Sequence, residues 1–309
     1  MNIKEFGIEM EKSVKQALGN RFEVNYTEVQ KNNGVMYHAL GIRKCGQNIA
    51  PTIYIDSLFD SYNNGSLFNN LVKEVVRIYN IHAPKGSEGA EFYQDFSQVA
   101  DRLFFKAVNF EKNRDKLKDV PYKRALDLAL VPLCKYKSSE LGDGVITVQN
   151  SHLNLWEITS DELWENVNEN SNRNAPVRIT GLFEIMEKIT GQQLSIDEIG
   201  QMSDACGMYV ITNEQGMYGA AAAFYPDVLK SLADDMETDL FIIPSSVHEV
   251  IILPDPNFGM DVEQIRSMIG EVNETAVREE DILSDNLYVY DREADRIFIA
   301  GANEERSYA

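Results

Sequence analysis

The sequence predicts an α+β protein, with mixed or antiparallel sheets built from hairpins and with helices packed on them. Three observations carry that expectation. Period-two apolar alternation flanks short turn signals such as Asn33-Gly34. Amphipathic helices occur singly between those hairpins. Regular strand–helix alternation, the mark of a doubly wound sheet, is missing. At 309 residues the chain exceeds the usual span of one core, so two domains are expected.

Ile3, Phe6, Met10, Val14 and Leu18 recur at three- and four-residue steps, which predicts a helix ending near Gly19. Phe22–Gln30 and Val35–Ile42 alternate around Asn33-Gly34 and read as a hairpin, with Thr52–Asp56 as a third strand. A helix is expected from Leu67 to Tyr79, then a loop over residues 82–90. Val99–Asn109 and Arg124–Cys134 read as buried strands around a charged helix, Glu111–Lys118. Gly144–Gln149 and Leu153–Ile158 suggest a hairpin across Asn150-Ser151. Thr159 to Glu162 has capping-box spacing and predicts a helix from Ser160 to Asn170, and the Asn-rich stretch Asn166–Asn174 is the linker candidate. Helices are expected over Leu182–Thr190 and from Ser195. Met208–Thr212 should pair with Met217–Phe224, and Pro226 should open a helix. Leu240–Ile243 and Val247–Leu253 read as strands joined by Pro244-Ser245-Ser246. A helix over Asp261–Glu271 and a hairpin of Leu287–Asp291 with Arg296–Ala300 complete the chain. The expected division is an N-terminal domain over 1–170, a helical linker region over 171–200 and an acidic C-terminal domain over 201–309.

Charge is unevenly placed. Residues 1–137 carry 20 Lys and Arg against 16 Asp and Glu, whereas residues 138–309 carry 9 against 33. Lysine does not recur after Lys230. Such a field repels nucleic acid and anionic lipid, so neither direct nucleic-acid binding nor membrane binding is expected. No apolar run approaches the roughly 18 residues of a membrane helix. The opening residues Met1–Phe6 lack a signal-peptide core, which points to the cytoplasm. Cys45, Cys134 and Cys206 are odd in number and far apart, as buried thiols in a reducing compartment would be.

The catalytic candidates are Ser246 and His248, in Pro244-Ser-Ser-Val-His-Glu249. If Ser246 begins a strand, Ser246 and His248 share one face and Glu249 takes the other, which blocks a local Ser–His–Glu relay. Alternatively Ser246 caps a turn whose third residue is Glu249. No nucleophile-elbow pattern surrounds the serines. No metal site is expected, because His38, His82, His152 and His248 are scattered. Asp255–Asp261 spaces oxygen ligands like a calcium loop, but Met260 and Arg266 occupy its critical sixth and twelfth positions. No phosphate-binding glycine motif is present; Gly86 and Gly89 belong to a loop, and no cofactor is expected. The basic set Lys112 to Arg124 is interrupted by carboxylates and reads as a solvated face. Glu279-Glu280-Asp281 reads as a charged loop.

Several segments in order resemble an uncharacterised domain-of-unknown-function family, number 5688. They are Thr52-Ile-Tyr-Ile-Asp56, Phe105 to Asn113, Met208 to Asn213, Gly219-Ala220-Ala221, Pro244 to Glu249, Glu271-Val-Asn273, Leu283-Ser-Asp285 and Tyr290-Asp-Arg292. The resemblance implies a bacterial cytoplasmic protein of gut clostridia and their mobile elements, and brings no substrate, cofactor or catalytic residue.

The leading expectation is a non-enzymatic interaction protein whose acidic C-terminal domain binds a macromolecular partner with a basic surface. The alternatives are a hydrolase using Ser246 and His248 with an acid from elsewhere, Asp285 or Asp291, and an acidic nucleic-acid mimic that inhibits a nucleic-acid-binding protein. The sequence leaves the oligomeric state open.

Overall fold

The computed structural model describes residues 1–46, 51–83, 91–138, 142–181, 184, 207–254 and 261–301. Cys206, the Gly86–Gly89 loop, the helices expected beyond Gly181 (Glu184 apart) and the Asp255–Met260 stretch lie outside the described residues. The fold is α+β. It falls into two compact units, Met1–Gln94 with Tyr136–Gly144, and Asp95–Lys135 with Val145–Ala309. These bounds differ from a division near residues 170–200, because residues 150–181 supply two helices and a strand to the second unit.

In the first unit, helix α1 (Ile3–Leu18) starts at a capping box in which Asn2 and Glu5 exchange side-chain-to-backbone bonds. It lays Phe6, Met10 and Val14 on an antiparallel sheet of β1 (Phe22–Gln30), β2 (Met36–Lys44) and β3 (Thr52–Tyr54). The turn between β1 and β2 places Asn33 and Gly34 at positive φ, the conformation that Asn-Gly favours. Helix α2 (Asp56–Asn63) follows β3 directly, and α3 (Phe68–His82) adds Leu71, Val75 and Tyr79 to the same core. Each such apolar side chain contributes roughly 1.5–3 kcal/mol when fully buried.

In the second unit, α4 (Phe96–Val99) leads into β4 (Leu103–Asn109), and α5 (Arg114–Leu117) follows it. Strand β5 (Lys123–Ala125) and β6 (Leu128–Ser138) form a hairpin where one buried strand was expected, and β7 (Gly142–Thr147) also pairs with β6; the last three residues of β6 and the first three of β7 are counted with the first unit. The hairpin expected across Asn150-Ser151 is absent; Asn150–Trp156 is helix α6, burying Leu153 and Trp156 at helical spacing. Helix α7 (Ser160–Asn174) keeps the Thr159–Glu162 capping box and runs through the Asn-rich stretch. Asn170 bonds the Ala100 carbonyl and Asn174 those of Asp101 and Leu103, so these amides tie the helix down where a linker was expected.

Six antiparallel strands form the large sheet, in the order β13-β12-β10-β11-β9-β8. They are β8 (Val177–Gly181), β9 (Tyr209–Asn213), β10 (Leu240–Ser246), β11 (Glu249–Pro254), β12 (Tyr288–Asp291) and β13 (Arg296–Ile299). Strand β9 pairs with β8 and β11, not with residues 217–224. Gly219–Phe224 is a buried 3-10 turn, whose four alanines bring no β-branched side chain to a ladder. Helix α8 (Val228–Met236) begins two residues after Pro226, and α9 (Val262–Thr275) packs Ile265 and Ile269 over the sheet.

Candidate functional site

The β10–β11 hairpin turns at Val247-His248, with Ser246 opposite Glu249 and a register shift between Ile243 and Ser246. The bend therefore falls after Pro244-Ser245-Ser246, so strand alternation does not relate Ser246 to His248. The Ser246 hydroxyl accepts the backbone N–H of His248 at 3.0 Å, a local turn bond. The imidazole is committed elsewhere. Its Nδ1 accepts the Tyr218 backbone N–H at 3.2 Å, and its Nε2 lies 3.2 Å from Asp281 Oδ1. An Nδ1 that accepts fixes the proton of the neutral ring on Nε2, which donates to Asp281.

The surroundings extend this wiring. Asp281 also receives Arg278 at 2.8 Å from Nε, and Arg278 pairs with Glu280 at 3.4 Å. The Tyr218 ring stacks on the imidazole at 6.0 Å, and Lys106 lies 4.7 Å from its centre. Tyr218 takes a left-handed φ of 56° to enter the 3-10 turn. Gly219 follows because nothing larger fits: a Cβ there would stand 2.2 Å from Thr212 Oγ1 and 2.6 Å from both Asn213 N and His248 O. Thr212 Oγ1 in turn donates to the His248 carbonyl at 2.8 Å.

The carboxylate beside His248 is thus Asp281, from the run that read as a charged loop. Asp285 accepts from Asn273 at 2.7 Å, and Asp291 accepts the Ala294 N–H at 2.8 Å. Sequence proximity could not reveal Asp281, which is 33 residues from His248.

A second polar centre surrounds Asp127 in the β5–β6 turn. It accepts from Ser284 Oγ at 2.6 Å, Asn286 Nδ2 at 3.0 Å and Tyr288 Oη at 2.7 Å. Burial, and then the adjacent Asp127 charge, push the Tyr288 phenol well above its ordinary range. Asn273 donates to the Ser284 carbonyl at 3.1 Å. These partners satisfy one another, as a structural anchor requires.

An apolar cavity of about 210 Å³ opens between α9 and the sheet, lined by Met208, Ile251, Leu253, Ile265, Met268 and Val272 among others. Met268 and Val272 are 53% and 48% exposed. Glu271 and Glu274 are exposed on the same helix, and Glu249 is exposed two residues before Ile251. Among the described residues no group of three or more His, Cys, Asp or Glu is placed to hold a metal ion, and no helix is long and apolar enough to cross a membrane.

The architecture is that of an α+β protein with a polar joint at the β10–β11 turn and an apolar cavity beside α9. Residues 3–292 match DUF5688, a family of unknown function, and the chain belongs to that family. No curated protein and no solved structure matches it. Several segments that carry the family resemblance have structural duties here. Asp56 holds His38, Gly219 and Thr212 close on His248, and Leu283-Ser284-Asp285 meets Asp127 and Asn273.

Proposed function

We propose that the chain is a binding protein whose α9 face receives an apolar side chain of a macromolecular partner, with basic residues flanking that side chain. The observation that carries this reading is the α9 cavity. Its volume is below the ~300–1,000 Å³ of a typical small-molecule site and suits one anchoring side chain of a protein partner. Charge supplies the rest of the match: Glu249, Glu271 and Glu274 are exposed within two positions of the lining residues Ile251, Val272 and Asn273, in the half of the chain with 33 acidic against 9 basic residues. The hydrolase alternative finds less support, since both ring nitrogens of His248 are engaged and the Ser246 hydroxyl is bonded to the His248 backbone N–H.

The test is capture from a lysate of the source cells with wild-type chain, Met268→Glu and the double variant Glu271→Gln/Glu274→Gln. The expected result is a basic protein retained by wild type, released by moderate salt, lost with Met268→Glu and weakened with the double variant. Retention unchanged by both variants, or no retained protein, would overturn the reading. So would release of the same protein from a nucleic acid, which marks the mimic instead.

A further inference from the structure

Independently of that reading, we propose that His248 is a proton-operated latch on the Tyr218 turn. Its two nitrogens face opposite demands. Neutral His248 accepts the Tyr218 N–H at Nδ1 and donates from Nε2 to Asp281. A proton taken up by the ring has one place to go, Nδ1, and an N–H there faces the Tyr218 N–H as donor against donor. Protonation therefore removes the acceptor of Tyr218 while it strengthens the contact to Asp281. The hairpin tip stays on Asp281, and the Tyr218 amide is released.

The elements packed around the ring carry charges of both signs. The 3-10 turn Glu279–Asp281 presents Asp281, with Glu279 and Glu280 ahead of it in the turn and Arg278 before them, and Arg278 already shares the Asp281 carboxylate. Strand β4 brings Lys106 to the Tyr218 ring. The Gly219–Phe224 turn contributes Tyr218 at its entry and no charge of its own; β9 contributes Thr212, which holds the His248 carbonyl. On the hairpin itself Glu249 is exposed. The ring thus meets an anion, Asp281, at Nε2, with Arg278 on that same carboxylate and Lys106 on the Tyr218 ring. Movement is possible because His248 is reachable: its side chain is 32% exposed, against 15% for Asp281. What the latch releases is specific. Tyr218 is held at left-handed φ, a conformation that a non-glycine residue keeps only while its surroundings enforce it.

The experiment is a pH titration by nitrogen-15 NMR, following the His248 ring nitrogens and the Tyr218 amide together. At high pH the ring must show its proton on Nε2. As His248 protonates, the Tyr218 amide proton should move upfield with the same midpoint, as expected for a lost hydrogen bond. His248→Asn puts an amide oxygen near the position of Nδ1 and cannot titrate, so the Tyr218 amide should then stay fixed. Asp281→Asn removes the anion at Nε2 and should move both midpoints together, which keeps the test available if His248→Asn does not fold. A Tyr218 amide that stays fixed while His248 titrates, that moves equally in His248→Asn, or that faces a ring protonated on Nδ1 at high pH would overturn the latch.

Discussion

The same three residue types, Tyr, His and Asp, meet in both units, and they are wired differently. In the first unit Asp56 spends both oxygens on one residue, accepting the His38 backbone N–H at 3.0 Å and lying 3.1 Å from its Nδ1. The imidazole stacks on Tyr26 at 6.1 Å. Asp56 is the first residue of α2, so the pair fastens β2 to a helix start. In the second unit Asp281 divides itself between His248 and Arg278, and the imidazole reaches on to the Tyr218 amide. A histidine beside an aspartate is therefore no catalytic signature by itself. The atom that each nitrogen serves decides the role.

The glycines beside the two tyrosines give the largest expected contrast. Gly219→Ala forces a Cβ against backbone atoms of Asn213 and His248, which cannot move separately. It should cost about 3 kcal/mol or more in urea unfolding. Gly7→Ala meets the Tyr26 ring instead, at 2.3 Å from Cε2, and a ring can shift. Helix propensity returns about 1 kcal/mol there, so the net loss should be about 1 kcal/mol. Equal losses would break the comparison.

Removing the carboxylates should separate the pairs next. Asp56→Ala leaves a backbone N–H and a ring nitrogen of His38 without their acceptor, and should cost about 2 kcal/mol. Asp281→Ala should cost about 1 kcal/mol, because Arg278 is 72% exposed and turns to water. Thermal unfolding at neutral pH ranks the two variants, and a larger loss for Asp281→Ala would reverse the assignment.

The cysteines give the smallest effect. Cys45 is exposed, whereas burial pushes the Cys134 thiol up to about 12. Native alkylation at pH 8, read by peptide mass mapping, should modify Cys45 and spare Cys134. The folded thiol holds its proton more tightly than the unfolded one. Its contribution to stability is thus complete below the ordinary thiol value of 9.0 and is lost as pH rises toward about 12.

Local signals made much of the fold legible. Asn33-Gly34 marked the first hairpin, and Thr159–Glu162 marked the start of α7. Where long-range contacts decide, the sequence misleads. Asn170 and Asn174 look like linker residues until their amides find carbonyls some 70 positions away. Residues 217–224 look like a strand until Gly219 admits a close backbone approach. Asp281 looks like solvent-facing charge until His248 arrives from the hairpin. The candidate site was legible only as a pair of residue names, since the turn at Val247-His248 sets where their atoms point.

The central claim is that Ser246 and His248 form a joint and not a nucleophile and its base. It is tested most directly by treating the native chain with a fluorophosphonate and mapping any adduct by mass spectrometry. The account predicts no adduct at Ser246 across the pH range in which the chain stays folded. Stoichiometric labelling of Ser246 that disappears in His248→Asn would contradict it.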